Sequence, residues 1–600
     1  MLQRARLLAF VILIAILTAF AILEVRLFFI QVVDGAHHIE EAREYQTKTE
    51  EILAPRGRIV DRGNKVLSAS IPCLDVYVAT KELENPYTKI RSEKSETIEI
   101  LSLLLGLDKQ QLCTRIEQNP GAYLCVKRKI TDQATIDRFH QYKDSRKFLR
   151  GVHLEESYTR TYPQGRLLGH TVGWVDFDGR GEYGMEAAAD SFLRGEKGSR
   201  LFRRDGIQQE IFCETSKMSR CRPGGDLKLT VDSTFQLFVE MELEKVEEKY
   251  DPNWAAAVVL EARTGRILAS ASIPSIDPGE RSVGKPNRWT NNAFKAEYNP
   301  GSSFKPLLMA LAMDAGVVGI DEQIDCENGR WRVGRRTVTD DHSYGLLSTS
   351  DIIAKSSNIG MSKIALRMVP GDAPRGSAAF APILNHFRLM GLGKRTGVMR
   401  YAEESPGIVT PLEKWSRTYT LVSVSFGYEL AVTPIQMAAA FLTLANGGVY
   451  IPPRIIESYA DPDGNVIEAP RTPSCRVISE ESALAVTRML ERVVEEGTGK
   501  KSQITNCRVA GKTGTAQKDG DRSKHTASFI GFAPADRPAI LTLVVVDEPK
   551  GSIYGGTVSA PAVGAILEKG LAHFGIRSDD GIRSDELVLA DRRRGGDAGR

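Results

Sequence analysis

The first thirty-five residues, MLQRARLLAFVILIAILTAFAILEVRLFFIQVVDG, constrain this chain more than any other stretch, because they carry no charge from Leu7 to Leu23. A helix needs about 20 predominantly apolar residues to cross a bilayer, and this run with its LFFIQVV flank is long enough. Arg4 and Arg6 precede it, so the positive-inside rule puts Met1 in the cytoplasm and the remainder of the chain on the other side. A cleaved signal peptide would have an apolar region of about 7–15 residues and a small-residue cleavage site. Here the run leads into Leu23-Glu24-Val25-Arg26 with no A-x-A, and it reads as an uncleaved anchor. No second run of that length follows. The membrane is expected to be crossed once, with 1–6 as a cytoplasmic tip, 7–33 as the transmembrane helix and the rest extracytoplasmic.

At 600 residues the chain is too long for one core, so two or more folded domains are expected beside the anchor. A net charge of +3, with no long Lys/Arg block, gives no support to a nucleic-acid partner. The eight cysteines are scattered without a C-x-x-C, which leaves metal binding and thioredoxin-like chemistry unsupported. Cys213 and Cys221 flank a short loop and could pair in an exported domain; buried free thiols are the other reading. After the anchor, 34–55 reads as a polar helical stalk, and RGRIVDRGNKVLSAS as two strands around an Arg62-Gly63-Asn64 turn. Charged helical stretches fill Asn85 to Tyr142, followed by a Gly-rich, β-forming region. The Pro-Gly-Gly break marks 216–229 as a linker, separating a domain over 56–215 from one over 230–574. The second domain opens with the helix STFQLFVEMELEKVEEKY and the hairpin strands WAAAVVLEA and GRILASAS, and its strands return only after a helical middle. That order predicts an α/β (α+β) layered fold with a mainly antiparallel sheet flanked by helices. The apolar-poor tail, 575–600, carries a tandem GIRSDD-GIRSDE and is expected to be disordered.

The chemistry centres on YNPGSSFKPLLMALAMDAG, Tyr298 to Gly316. Pro306 has no N–H, so it belongs in the first turn of a helix; the bond it cannot make would have gone to the carbonyl of Ser302. The helix therefore begins at about Ser302 or Ser303, where free N–H groups and the dipole favour developing negative charge. Ser302 and Lys305 share a face, and a neutral lysine can take the proton of an attacking serine. Alone, the stretch is equally a capped helix start with a solvated lysine. S-V-G-K at Ser282 to Lys285 has the same spelling, but Gly284 and Pro286 forbid a following helix, and it is discarded. Ser356-Ser357-Asn358 opens a second apolar helix, where Ser356 could relay a proton and Asn358 could hold an amide. Lys512-Thr513-Gly514-Thr515 lies on a predicted strand; the lysine can bind a carboxylate or lower its neighbour's pKa. Gly514 would let a ligand backbone approach, and the N–H of Thr515 could form an oxyanion hole with that of Ser302.

Together and in this order, S-x-x-K, S-x-N and K-T-G match the signature of penicillin-binding proteins and serine β-lactamases. The chain resembles the class B penicillin-binding proteins, monofunctional peptidoglycan D,D-transpeptidases. RGRIVDRGNKVLS, GRGEYGMEAAADSFLRGEKG, EARTGRILASAS, GYELAVTPIQMAAAFLTLANGG and SFIGFAP are similar to blocks of that family, from about Arg26 to Glu568. The resemblance implies Ser302 as acyl-ester nucleophile, Lys305 as its base, and Ser356 and Asn358 in proton transfer and donor binding. It implies Lys512 and Thr513 at the terminal carboxylate of a D-alanyl-D-alanine stem peptide, and acylation by β-lactams. No metal or cofactor is implied. The first domain resembles the family's non-catalytic pedestal, in which Arg56, Gly57, Gly181, Gly184 and Glu186 are packing residues. Two positions depart from the pattern: Asn299 where Glu is frequent, and Glu429 where Gly is usual. Block spacing looks more like the division-specific (FtsI-like) type than the elongation type, which implies septal partners including a membrane glycosyltransferase. A non-catalytic scaffold with a decayed site is the rival of a different class, and the intact Ser302, Lys305, Ser356, Asn358 and Lys512 argue against it.

Overall fold

A computed structural model describes residues 2–83, 91–144, 151–204, 210–211, 218–280, 286–518 and 521–576. Cys213, the S-V-G-K stretch and the tail from 577 onward lie outside the described residues. The seven described cysteines form no disulfide with one another. The chain divides into two compact units, one of Met1–Pro55 with Gly195–Gly224, the other of Arg56–Arg194 with Gly225–Arg600.

In the first unit a helix over Leu2–Phe28 continues as a π-helical turn over Phe29–Val33. Arg6–Val33 is long and apolar enough to cross a membrane, and it is the one such helix among the described residues. Its large apolar side chains are exposed around the whole circumference. The predicted helical stalk over 34–55 needs correction. Helix covers only Gly35–Gln46, and Thr47–Ile52 is a strand paired antiparallel with Gly198–Arg204. Thr47, Thr49 and Ile52 are β-branched, which favours strand over helix, and Gly198–Arg204 supplies the partner that a strand needs for its backbone bonds.

In the second unit, a seven-stranded sheet joins strands far apart in sequence. Ile59–Val60 and Val66–Ala79 form the predicted hairpin, and the latter also pairs with Tyr123–Ile130 and Val152–Thr161. The strand Tyr123–Ile130 interrupts the region read as helical, while the Gly-rich region read as β-forming holds short helices at Gly169–Val172, Gly184–Ala188 and Asp190–Leu193. The segment read as a linker over 216–229 leads, at its end, into a strand. Asp226–Leu229 is a strand running parallel to Ile59–Val60 and antiparallel to Ile456–Ala460, with Leu227 and Leu229 fully buried. Its polar-apolar alternation is what a half-buried strand requires. Nearby, Glu186 accepts from Arg56 Nε, Arg160 Nε and Ser68 Oγ, each at 2.6 Å. Arg56 also donates to Asp190 at 2.6 Å, so a fully buried carboxylate is held by two guanidinium groups and a hydroxyl.

A second large sheet of this unit is the expected antiparallel one, with five strands in the order Ile267–Ile273, Trp254–Glu261, Ile540–Asp547, Asp521–Ala533, Ala510–Lys518. Helices Ser233–Tyr250 and Ala560–His573 cover one face, and the helical middle of the chain covers the other. Burial on both faces explains why the central strand ILTLVVVD is apolar but for Thr542 and the terminal Asp547, with no polar-apolar alternation. Ala510–Lys518 is the edge strand, which leaves one row of its N–H and C=O groups outside the sheet.

Glu429, the departure noted above, adopts a left-handed φ of 61° just before the strand Leu430–Ala431. The Cβ penalty there is about 1–2 kcal/mol, partly offset in a Gly variant by greater unfolded-chain entropy. Glu429→Gly is expected to stabilise the detergent-solubilised full-length protein by about 0.5–1 kcal/mol, raising its Tm by about 1–3 °C. A lower Tm would overturn this account of the position.

Candidate active site

Gly301–Phe304 forms a 3-10 turn that passes into the α-helix Lys305–Asp314, with Pro306 in its first turn as the missing N–H demands. The two serines are not equivalent. Ser303 is buried and its hydroxyl donates to the Pro300 carbonyl at 2.7 Å, whereas Ser302 is partly exposed. Beneath this turn the backbone of Gly427, at φ 83°, approaches so closely that a Cβ there would lie 2.1 Å from the Gly301 carbonyl oxygen. Gly301 N–H donates to the Gly427 carbonyl at 3.2 Å, which fixes the turn against its neighbour.

Lys305 is fully buried and extends to the second motif. Its Nζ donates to the Ser356 carbonyl, to Asn358 Oδ1 at 2.7 Å and to Ser356 Oγ at 3.2 Å. Lys512, also fully buried, donates to the same Ser356 Oγ at 3.0 Å and to Thr513 Oγ1 at 3.3 Å. One hydroxyl therefore bridges two amines. Burial lowers the Lys305 pKa to about 7, against the upward pull of Asp340 and Asp341. Burial, with the charge of Lys305 beside it, holds the Lys512 pKa well below the ordinary lysine value.

The Ser356–Asn358 loop is shaped by a residue that the sequence reading missed. Asp340 accepts from Ser357 Oγ at 2.6 Å, from Asn358 N–H and from Ile359 N–H at 3.1 Å, at the start of the helix Asn358–Arg367. Ser357 is the N-cap, donating to Asp340 and accepting from Gly360 N–H at 2.9 Å. Ser356, just before it, is held at a left-handed φ of 62°, which turns its carbonyl and hydroxyl toward the lysines. On its other side Asn358 Nδ2 donates to the Thr339 carbonyl at 2.9 Å. An Asp-Asp pair in a polar loop has no periodicity that would mark it as part of the site.

Lys512, Thr513, Gly514 and Thr515 lie on the edge strand as predicted. Gln517 N–H donates outward to Tyr428 Oη at 2.8 Å, and in an antiparallel ladder alternate residues share an edge, so Thr515 N–H faces the same open side. Thr515 Oγ1 accepts from Gly555 N–H at 3.2 Å, and Thr513 Oγ1 lies 2.7 Å from Thr498 Oγ1, a second missed neighbour. Gly514 is closely packed on one side. What crowds it is the protein itself: a Cβ would lie 2.8 Å from the Pro300 carbonyl oxygen and 2.4 Å from Ser528 Oγ. Position 514 has the opposite parity to 513 and 515, and its missing side chain leaves space for the serine turn. All the predicted residues thus fall on three adjoining elements, and no group of three or more metal-ligating side chains occurs among the described residues. A cleft lined by His170, Glu240, Leu243 and Ser272 contains none of them.

The penicillin-binding protein transpeptidase domain matches residues 255–568, and the penicillin-binding protein dimerisation domain matches 51–229. The chain is 31% identical to stage V sporulation protein D of Bacillus subtilis, covering 96% of this chain and 86% of that protein. It is 30% identical to the peptidoglycan D,D-transpeptidase FtsI of Escherichia coli, covering 94% and 91%. Among solved structures, penicillin-binding protein 3 of Mycobacterium tuberculosis complexed with aztreonam superposes with a TM-score of 0.65 at 26% identity, covering 88% of this chain and 98% of that one. The chain belongs to the class B penicillin-binding proteins.

Replacing Asp340 by Ala would leave the donors of Ser357, Asn358 and Ile359 without their acceptor. The expected loss of stability is about 2–3 kcal/mol, read from thermal unfolding, with a smaller loss for Asp340→Asn, whose carboxamide oxygen still accepts. Equal stability of Asp340→Ala and wild type would remove Asp340 from this role.

Proposed function

We propose that the protein is a serine-type peptidoglycan D,D-transpeptidase in which Ser302 is acylated by the D-alanyl-D-alanine end of a stem peptide. The observation that carries this reading is the pair of buried lysines sharing the Ser356 hydroxyl at the foot of the Ser302 turn. With its pKa near 7, Lys305 has a neutral fraction available to take the Ser302 proton, and Ser356 links it to Lys512. The Ser302 and Thr515 N–H groups would receive the oxyanion, and Lys512 with Thr513 would hold the terminal carboxylate. Attack forms the Ser302 ester and releases D-alanine, and an amine from a neighbouring strand then displaces the serine and completes the crosslink. β-Lactams would enter at the first step.

Labelling the full-length protein with a fluorescent penicillin tests the assignment. Wild type is expected to label and Ser302→Ala not; equal labelling of both would sink Ser302 as nucleophile, and no label on wild type would favour a scaffold. Because only the neutral amine is a base, the acylation rate is expected to rise with pH through about 7 and then level off. A rate that falls across that range would rule out Lys305 as the base.

We further infer that the enzyme is anchored by its N-terminal helix, catalytic domain outside the cytoplasm, and acts in septal wall synthesis. The support is the apolar helix over Arg6–Val33 and the likeness to a relative named FtsI. A fluorescently tagged copy is expected at mid-cell during division; uniform lateral-wall fluorescence would support the elongation type instead.

A further inference from the structure

Directly before Asp340 the chain forms a two-stranded hairpin, Arg330–Val333 paired with Arg336–Thr339, which pairs with no other strand among the described residues. Its pairing register puts Arg330 opposite Thr339 and Arg332 opposite Thr337 on one face, and all four are exposed. Trp331, Val333 and Val338 occupy the opposite face, where the two valines are buried and the Trp331 ring has Lys363 Nζ 5.6 Å from its centroid. Arg335, exposed, adds a third cation at the turn.

The fourth arginine of the hairpin shows what a structural arginine looks like here. Arg336 lies over the rings of Tyr419 and Phe426, 5.3 and 5.5 Å from their centroids, and donates to Ser423 Oγ at 2.6 Å. Arg330, Arg332 and Arg335 form no ion pair with any carboxylate among the described residues. Residues two apart on a strand stand about 7 Å apart on one face, where like charges repel. A lone two-stranded ribbon has little stability to spare. Three unpaired arginines therefore weaken the hairpin unless an anion neutralises them, and conflicts of this kind mark functional surfaces. The hairpin also leads straight into the site, since Thr339 takes the Asn358 Nδ2 bond and Asp340 holds the loop.

Resting on the transpeptidase reading above, we propose that the Arg330/Arg332/Arg335 face docks the stem-peptide carboxylates of a peptidoglycan strand. These are carboxylates away from the reacting D-alanyl end, and engaging them gives the enzyme a preference for acidic over amidated stem peptides. Guanidinium groups suit this task because they pair with carboxylates in a two-pronged geometry and stay charged at any working pH.

The test compares full-length wild type with Arg330→Gln/Arg332→Gln/Arg335→Gln, and with the corresponding triple Lys variant, in crosslinking of strands with free or amidated stem carboxylates. Wild type is expected to have a KM about fivefold lower for the free-carboxylate strand, a difference that fades as salt is raised. The Gln variant should lose that difference while fluorescent-penicillin acylation stays within about twofold of wild type, and the Lys variant should keep most of it. Should the Gln variant lose acylation too, the Lys variant decides by its retained or lost preference. Equal KM values for the two strands in wild type would overturn the proposal, as would an unchanged preference in the Gln variant. Binding of wild type, but not the Gln variant, to phosphatidylglycerol vesicles with unaltered crosslinking would assign the face to lipid and overturn it as well. Penicillin labelling of wild type separates these failures from failure of the transpeptidase reading, which would abolish the label itself.

Discussion

Two amines buried side by side cannot both carry full charge, and the site is organised around that constraint. Lys305 and Lys512 are each fully buried, and the hydroxyl of Ser356 lies within hydrogen-bond reach of both. Among the described residues, no carboxylate forms an ion pair with either amine. Lys305 is instead given three neutral acceptors, the Ser356 carbonyl, Ser356 Oγ and Asn358 Oδ1, which match the three N–H bonds of an ammonium. Desolvation opposes that charge, while Asp340 and Asp341 favour it from further away, and the balance comes to rest near neutral pH. A direct carboxylate partner would have locked the proton on; a purely apolar pocket would have stripped it off altogether.

The balance depends on backbone geometry more than on side-chain identity. Ser356 can present both its carbonyl and its hydroxyl to the lysines only from a left-handed conformation, which most residues avoid. The loop is held there from both sides, by the Asp340 carboxylate on its N–H groups and by the Thr339 carbonyl on Asn358 Nδ2. Opposite it, the contact of Gly427 with Gly301 fixes the serine turn, and Gly514 lets that turn settle on the edge strand. Each lysine is thus fixed at its root by a regular element, a helix start for Lys305 and a sheet edge for Lys512. The irregular loop between them sets the distances.

This division of labour explains what could be read in the sequence. Pro306 placed the helix start because a missing N–H is a local fact, and the Lys512 strand was legible from its own residue types. The five-stranded sheet was likewise legible, its central strand apolar at six of eight positions because both faces are covered. Asp340, Thr498 and Gly427 were not, because each acts on a residue remote in sequence and none sits in a periodic pattern. The same limit hid the pairing of Asp226–Leu229 with Ile59–Val60 and of Thr47–Ile52 with Gly198–Arg204. In both cases a segment resembling a connector is held by a strand from far along the chain. At Gly514 the need for space was legible, and on one side the Pro300 carbonyl of the serine turn takes it up.

The arginine hairpin and the lysine site are parts of one continuous piece of chain, and this bears on how substrate docking would be felt at the reacting atoms. Thr339 ends the hairpin and bonds Asn358; Asp340 follows at once and bonds the N–H groups of Asn358 and Ile359. No flexible spacer separates the two roles. A ribbon relieved of its charge repulsion by a bound anion would therefore hold Thr339 and Asp340 more firmly, and through them the acceptors of Lys305. Interactions of remote parts of a substrate are most useful to catalysis when they are spent on orienting the reacting groups. Here the covalent path from the docking face to the lysine platform is as short as a chain allows, with one end built to tolerate an anion and the other to hold a proton in balance.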